Sequence, residues 1–157
     1  MPMNSEMKKV NLNDDFYTMK GYMLLSTGSL TSAMEDYLEM IVRIRRGGDT
    51  VRVIDLSRQL HVKASSVTKM VQQLVKAGLV TAEKYGTIEI TEKGYSMGEY
   101  LLYRHDVLHR FLCLLNSSDN ELEQAEKIEH YLNKQTIKNL ERLNQRLWEE
   151  QNGQRGR

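Results

Sequence analysis

Two short apolar segments separated by only a few residues most constrain what this chain can fold into. In the run VRVIDLSRQLHVKASSVTKMVQQLVKAGLV the first segment predicts one short helix, and the second predicts another that stops at Gly78. The residues between them, around His61 to Ala64, leave room only for a tight turn. Two short helices joined in this way are typical of a helix-turn-helix. The apolar positions are Ile54, Leu56 and Leu60 in the first helix and Val67, Met70, Val71 and Leu74 in the second.

The stretch that follows, LVTAEKYGTIEIT, has strand-like runs on either side of Tyr85-Gly86. A glycine-containing dipeptide between two such runs predicts a β-hairpin. A helix-turn-helix followed by a small hairpin is a winged helix-turn-helix, and we assign residues 31–91 to this domain.

Helical patterns lie on both sides of this motif. Upstream, Ser32 and Glu35 have the spacing of a capping box, which predicts a helix from about Ala33 to Gly47-Gly48. Downstream, the pattern predicts a long helix from Thr91 to about Leu115, a break at residues 116–118, a helix from about Asp119, and a last helix over residues 134–150. A second capping box, Ser118 with Glu121, favours the start of the helix predicted from about Asp119.

These elements predict a mainly α fold in which the winged helix-turn-helix precedes an all-helical domain over residues 92–150. Residues 1–30 show no sustained periodicity, so we expect a loosely ordered N-terminal extension; residues 151–157 are expected to form a flexible tail. The single cysteine, Cys113, excludes an internal disulfide. Because the N-terminus lacks an apolar signal region and no segment reaches about 20 apolar residues, we expect a cytoplasmic protein with no membrane partner.

Charge separates the two predicted domains even though the net charge of the 157 residues is only +1. Residues 52–84 contain six lysines and arginines against two acidic residues, whereas residues 119–129 contain five acidic residues against one lysine. A basic excess that coincides with a helix-turn-helix indicates binding to double-stranded DNA.

The second helix of such a motif enters the major groove and presents short polar and basic side chains to phosphates and base edges. The alternative is that its serines and threonine only cap and solubilise the helix and that the module docks against a protein. We favour DNA. The candidate DNA-binding residues are Arg52, Lys63, Ser65, Ser66, Thr68, Lys69, Gln72, Lys84 and Tyr85.

Glu126, Glu129 and His130 stand at positions i, i+3 and i+4, which a helix places on one face. Upstream, His105, His109 and Cys113 follow one another at i+4 steps. Taken alone, either pattern is more typical of a solvated or packed helix face than of a metal site.

Four separated motifs, MEDYLEMI, SSVTKMVQQL, YRHDVLHRFL and AEKIEHYL, occur in this order between Ser32 and Asn144. Together they resemble the metal-dependent repressors of the diphtheria toxin repressor family, and they are most similar to its manganese-responsive members. The resemblance implies that the helical domain forms a homodimer. It also implies two metal ions per subunit, with Glu126 and Glu129 sharing oxygens between them. The ligands that it implies are Asp36, Glu39, His105, Glu126, Glu129 and His130.

Four carboxylates and two imidazoles form a hard donor set that suits Mn²⁺, with Fe²⁺, Co²⁺ or Zn²⁺ as possible substitutes. Iron-sensing members of the family have Met at the position of Asp36 and Cys at that of Glu126, so the resemblance favours manganese. A second metal site of those members falls on His105, His109 and Leu122, and a leucine cannot bind metal. We therefore interpret His109 and Cys113 as packing residues.

The expected function is that of a repressor that is not an enzyme: Mn²⁺ acts as corepressor, and the dimer binds a palindromic operator of manganese-uptake genes. An iron- or zinc-responsive repressor of the same family remains an alternative, as does a winged-helix regulator that needs no metal and binds an organic ligand. We expect no such organic ligand here. A two-metal hydrolase is a third class, but the sequence offers no separate general base, and the helix-turn-helix would have no role.

Overall fold

The computed structural model describes residues 30–83 and 86–153, and it confirms a mainly α fold with a small antiparallel sheet. Within that part of the chain, no helix is long and apolar enough to cross a membrane. The helices are α1 (Ser32–Arg46), α2 (Val53–Leu60), α3 (Ala64–Lys76), α4 (Glu92–Asn116), α5 (Leu122–Ile128) and α6 (Lys134–Gly153), with a 3-10 turn at Glu129–Tyr131; the strands are β1 (Val51–Arg52), β2 (Val80–Ala82) and β3 (Thr87–Ile90).

The turn between α2 and α3 is as tight as the sequence predicts. His61 has a left-handed backbone with φ of 54°, which ends α2 abruptly. The Ser57 hydroxyl then donates a 2.6 Å hydrogen bond to the carbonyl of Val62 and fixes the turn. Leu56 from α2 and Val67 from α3 are completely buried, so the two helices share one apolar core.

The predicted hairpin is present as β2 and β3, and its tip residues Lys84 and Tyr85 lie outside the described residues. The sequence did not predict β1, a strand of two residues in which Val51 pairs with Ile88. The sheet therefore has three antiparallel strands in the order β1-β3-β2. Two residues are too few for an alternating pattern to show in the sequence, and pairing with β3 alone defines this strand.

Both predicted capping boxes are wrong. The N-cap of α1 is Thr31, whose side chain accepts a 3.2 Å hydrogen bond from the Met34 amide, and Glu35 is therefore free to point elsewhere. The Ser118 hydroxyl does contact Glu121 at 2.6 Å, but α5 begins only at Leu122. In both cases the Ser-x-x-Glu spacing is present, but the serine is not the N-cap residue of the helix.

The crossing of α1 with α4 is unusually close. A Cβ atom added at Gly98 of α4 would lie 2.3 Å from Cγ2 of Val42 in α1, so only glycine fits there. Leu38, Val42 and Leu101 are fully buried around this crossing. The close packing matters because α1 and α4 each carry candidate metal ligands.

The C-terminal helices pack onto the second half of α4. Leu108, Leu112 and Ala125 form a small buried cluster between α4 and α5. On the other side, the buried side chain of Asn144 in α6 donates a 3.0 Å hydrogen bond to the carbonyl of Val107. These contacts hold α5 and the 3-10 turn beside α4.

Candidate metal centre

The structure brings all six predicted ligands together from three segments of the chain. Asp36 and Glu39 lie one turn apart on α1, and His105 lies at the middle of α4. The remaining three come from the end of α5 and the 3-10 turn. The prediction that one regular helix carries these three is wrong, because α5 ends at Ile128. The tighter turn that follows still directs Glu129 and His130 toward α1 and α4.

Their donor atoms form two groups, and within each group all donors lie within 4.8 Å of one another. The first ligand group is Glu39, His105, Glu126 and Glu129, and the second is Asp36, Glu129 and His130. Glu129 belongs to both. The family resemblance implies that Glu126 and Glu129 are both shared, but here only Glu129 joins the two groups.

Two buried carboxylate oxygens at this site lack a hydrogen-bond donor among the described residues: Oε1 of Glu129 and Oδ1 of Asp36. Glu129 is completely buried, and its other oxygen lies 2.7 Å from Nδ1 of His105. Oδ1 of Asp36 lies 2.9 Å from Nε2 of His130, a short distance without the geometry of a hydrogen bond. Because a buried acceptor without a donor costs free energy, these oxygens fit a bound cation.

The electrostatics of the site favour positive charge. Burial raises the pKa of Glu39 and of Glu126, and the neighbouring Glu129 raises both further, whereas Arg43 opposes the rise at Glu39. The hydrogen bond to Glu129 raises the pKa of His105. Contacts with Asp36 and then Glu35 raise the pKa of His130 to about 10. Each shift follows from carboxylates crowded into a poorly solvated space, which favours positive charge at this site.

Two arginines and one further carboxylate contact the ligand groups, and the sequence did not predict these contacts. Arg43 donates a 2.7 Å hydrogen bond to Glu39, one turn away on α1. Arg104, which is buried, donates a 2.8 Å hydrogen bond to Glu35, and its Nη2 lies 3.3 Å from Nδ1 of His130. One sequence feature could have predicted these contacts: Arg104 is a charged residue at a buried position of α4, directly before the candidate ligand His105.

His109 and Cys113 belong to neither ligand group. Nε2 of His109 accepts a 3.2 Å hydrogen bond from the Glu121 amide and lies 3.5 Å from Sγ of Cys113. The imidazole therefore satisfies a backbone donor just before α5. This arrangement supports the interpretation of both residues as packing residues.

The candidate DNA-binding side chains that the structure describes are all exposed to solvent. Val67, Val71 and Leu74 bury the inner face of α3, and the opposite face is solvent-exposed. The Thr68 hydroxyl already donates to the carbonyl of Ala64 at 3.1 Å, so it can only accept a further hydrogen bond. The exposed candidates are Arg52, Lys63, Ser65, Ser66, Thr68, Lys69 and Gln72.

Comparison with known proteins assigns both halves of the chain to one family. Residues 29–88 match the iron-dependent repressor N-terminal DNA-binding domain, and residues 91–155 match the metal-binding and dimerisation domain of the same family. Between them, the two matches cover most of the chain.

Individual relatives agree. The chain is 39% identical over 122 residues to the HTH-type transcriptional regulator MntR of Geobacillus kaustophilus (strain HTA426), which is 77% of this chain and 86% of the relative. It is 38% identical over the same length to MntR of Geobacillus thermodenitrificans (strain NG80-2). The solved structure of the manganese regulator SloR shares the fold, with a TM-score of 0.64 and 24% identity over 73% of this chain. The match spans only 54% of that longer chain.

The two parts of the family thus correspond to the two parts of the fold: a winged helix-turn-helix that binds DNA, and a helical domain that binds metal and dimerises. The site described above lies where α1 of the first part meets α4 and α5 of the second. This chain belongs to the iron-dependent repressor family and is a metal-dependent transcriptional repressor.

Proposed function

We propose that this repressor responds to Mn²⁺, that each subunit holds two ions, and that the six predicted residues are their ligands. The observation that carries the proposal is Glu129, a fully buried carboxylate that belongs to both ligand groups. A carboxylate has two oxygens and can serve two neighbouring cations, so one shared residue suits a pair of ions. Asp36, whose Oδ1 also lacks a hydrogen-bond partner among the described residues, belongs to the second ligand group.

The donor chemistry favours manganese. Both ligand groups consist of carboxylate oxygens and imidazole nitrogens, without sulfur. Hard donors of this kind suit Mn²⁺, whereas thiolate and thioether ligands favour softer metals. Fe²⁺, Co²⁺ and Zn²⁺ are substitutes that the same donors accept, because affinity rises from Mn²⁺ toward the later metals at most sites. Coordination geometry and metal availability in the cell then decide which of these ions the site holds.

The ligand positions explain how metal controls DNA binding. Asp36 and Glu39 belong to α1, which packs against α2 and α3 of the DNA-binding part, whereas the other four belong to the helical part. Without metal, the clustered carboxylates repel one another across this junction. When bound, the cations supply the positive charge that offsets this repulsion. Asp36, Glu39 and Glu129 then hold α1 in a fixed position relative to α4 and the 3-10 turn.

In a dimer, this fixed position sets the distance between the two α3 helices. Two recognition helices related by a twofold axis match a palindromic operator whose half-sites are about one helical turn, or a multiple of it, apart. Metal affinity and operator affinity are then linked reciprocally, typically by about 1–3 kcal/mol. We propose that the operator controls manganese-uptake genes and that the repressor acts in the cytoplasm.

Fluorescence anisotropy on a labelled palindromic operator tests the proposal. Titrations with Mn²⁺, Fe²⁺, Co²⁺ and Zn²⁺ should each be compared with a chelated sample. We expect tighter operator binding with Mn²⁺; equal affinity with Mn²⁺ and with chelator contradicts the proposal. The double variant His105→Ala with Glu126→Ala should lose the metal response, because it removes two candidate ligands. It should keep its circular dichroism spectrum, because neither residue belongs to the apolar core.

A further inference from the structure

A largely buried ion pair links α1 to α4 beside the candidate metal centre without belonging to either ligand group. Nη1 of Arg104 lies 2.8 Å from Oε2 of Glu35, and the two side chains are only 4% and 13% exposed. Moving two charges out of water costs free energy that their attraction recovers only with good geometry and further hydrogen bonds. A pair in this position therefore calls for a role beyond joining two helices.

Both members of the pair face the same atom of a candidate ligand. Nδ1 of His130 lies 3.3 Å from Nη2 of Arg104 and 3.4 Å from Oε1 of Glu35. The other ring nitrogen, Nε2, faces Asp36 at 2.9 Å. The imidazole is thus held with one nitrogen toward the ion pair and the other toward the second ligand group.

We propose that Glu35 and Arg104 are positioning residues for His130, an inference that rests on the proposed function. Their contacts with Nδ1 fix the orientation of the ring, so that Nε2 is directed at the second ligand group. Arg104 fixes the carboxylate of Glu35 and limits rotation of the ring. A metal-binding imidazole generally donates its other N–H to such a carboxylate, which sets its tautomer and orientation.

The guanidinium group suits this role in a way that an ammonium group does not. Arg104 places Nη1 on Glu35 and Nη2 beside His130, so one rigid planar group contacts both partners. Lysine offers a single flexible point charge and cannot keep both distances. Arg104→Lys therefore retains the charge and removes the geometry.

A second arginine–glutamate pair provides a matched control. Arg46 and Glu99 also join α1 to α4, but their side chains are 46% and 40% exposed, and the ligand groups include neither residue. Glu99→Gln removes an ion pair between the same two helices without touching His130. A purely structural role for Glu35 predicts that Glu35→Gln and Glu99→Gln affect metal binding alike.

Isothermal titration with Mn²⁺ should be performed on the full chain and on Glu35→Gln, Arg104→Lys and Glu99→Gln. We expect Glu35→Gln and Arg104→Lys to weaken one of the two binding events about 10- to 100-fold, the usual cost of losing an outer-shell partner, and Glu99→Gln to leave both unchanged. Equal weakening in Glu35→Gln and Glu99→Gln, or unchanged affinity in Glu35→Gln, overturns the inference.

A second measurement needs no metal. The ¹⁵N resonances of the His130 imidazole, recorded at fixed pH in the metal-free protein, should shift in Glu35→Gln and stay in place in Glu99→Gln. Unchanged resonances in Glu35→Gln overturn the inference even if affinity falls. If the unaltered chain binds no Mn²⁺, the proposed function fails, and these resonances alone decide whether Glu35 positions His130. Glu35→Gln is nearly isosteric, so it also decides the outcome if Arg104→Lys does not fold.

Discussion

Nδ1 of His105 on α4 lies 2.7 Å from Oε2 of Glu129, which is fully buried in the 3-10 turn after α5. The two residues are 24 positions apart in the sequence. Their contact brings the end of α5 against the middle of α4, beside the two carboxylates of α1. Because Glu129 contributes to both ligand groups, we expect its loss to affect the whole site and the loss of Glu126 to affect only part of it.

Glu129→Gln should therefore weaken both Mn²⁺ binding events, whereas Glu126→Gln should weaken only one. The effect at Glu129 should exceed the roughly 10- to 100-fold loss that removal of an outer-shell partner causes. Glutamine keeps the size of the side chain and removes its charge. Isothermal titration of each variant measures the number of events and their affinities. Two events of unaltered affinity in Glu129→Gln would contradict the assignment of this residue to both groups.

Mn²⁺ affinity should rise with pH between about 6 and 9, a range that includes the ordinary pKa of histidine. Contacts with Asp36 and Glu35 raise the pKa of His130 to about 10, and Glu129 raises that of His105. The His130 ring therefore carries a proton at neutral pH, and each ring must give up any such proton before its nitrogen can bind metal. As pH increases, the proton competes less, so the apparent affinity increases.

Calorimetry in buffers of different ionisation enthalpy counts these protons directly. We expect net proton release in the unaltered chain and less release in His130→Gln. Affinity that is independent of pH over this range, with no proton release, would show that the histidines are not ligands.

Gly98→Ala should weaken both folding and metal binding because the crossing of α1 with α4 leaves no space for a Cβ atom. The added carbon would lie 2.3 Å from Cγ2 of Val42. Overpacking of this kind typically costs about 1–3 kcal/mol, and any shift of α1 moves Asp36 and Glu39 away from His105. Urea unfolding and Mn²⁺ titration measure the two effects. Gly153→Ala serves as a control, since an added Cβ there meets no atom within 4 Å.

Lys69→Ala should weaken operator binding and reduce its dependence on salt while leaving Mn²⁺ affinity unchanged. Lys69 is exposed on the outer face of α3, away from both ligand groups. Removing one phosphate contact lowers the slope of log affinity against log salt by about one unit. Anisotropy at several salt concentrations measures this slope. The control is Lys138→Ala on α6, which is exposed outside the DNA-binding part; an equal loss in both variants would contradict a role for Lys69 at the DNA.

The sequence by itself predicted the elements whose signals are local. The helix-turn-helix, the hairpin and the long helix follow from apolar periodicity, and the tight turn at His61 follows from the short spacing between two periodic segments. All six candidate ligands were also predictable, but only because four motifs together resembled one family. Each motif alone was typical of an ordinary helix face.

The tertiary structure decided what depends on contacts between distant segments. The strand at Val51 exists only because β3 pairs with it, and Glu35 has the spacing of a helix cap but contacts Arg104 instead. The sharing of Glu129 by two ligand groups, and the approach of Arg104 to His130, arise where α1, α4 and the 3-10 turn meet. Sequence periodicity reports which face of a helix is apolar; the packing of three helices determines which buried polar atoms lie within a few ångströms of one another.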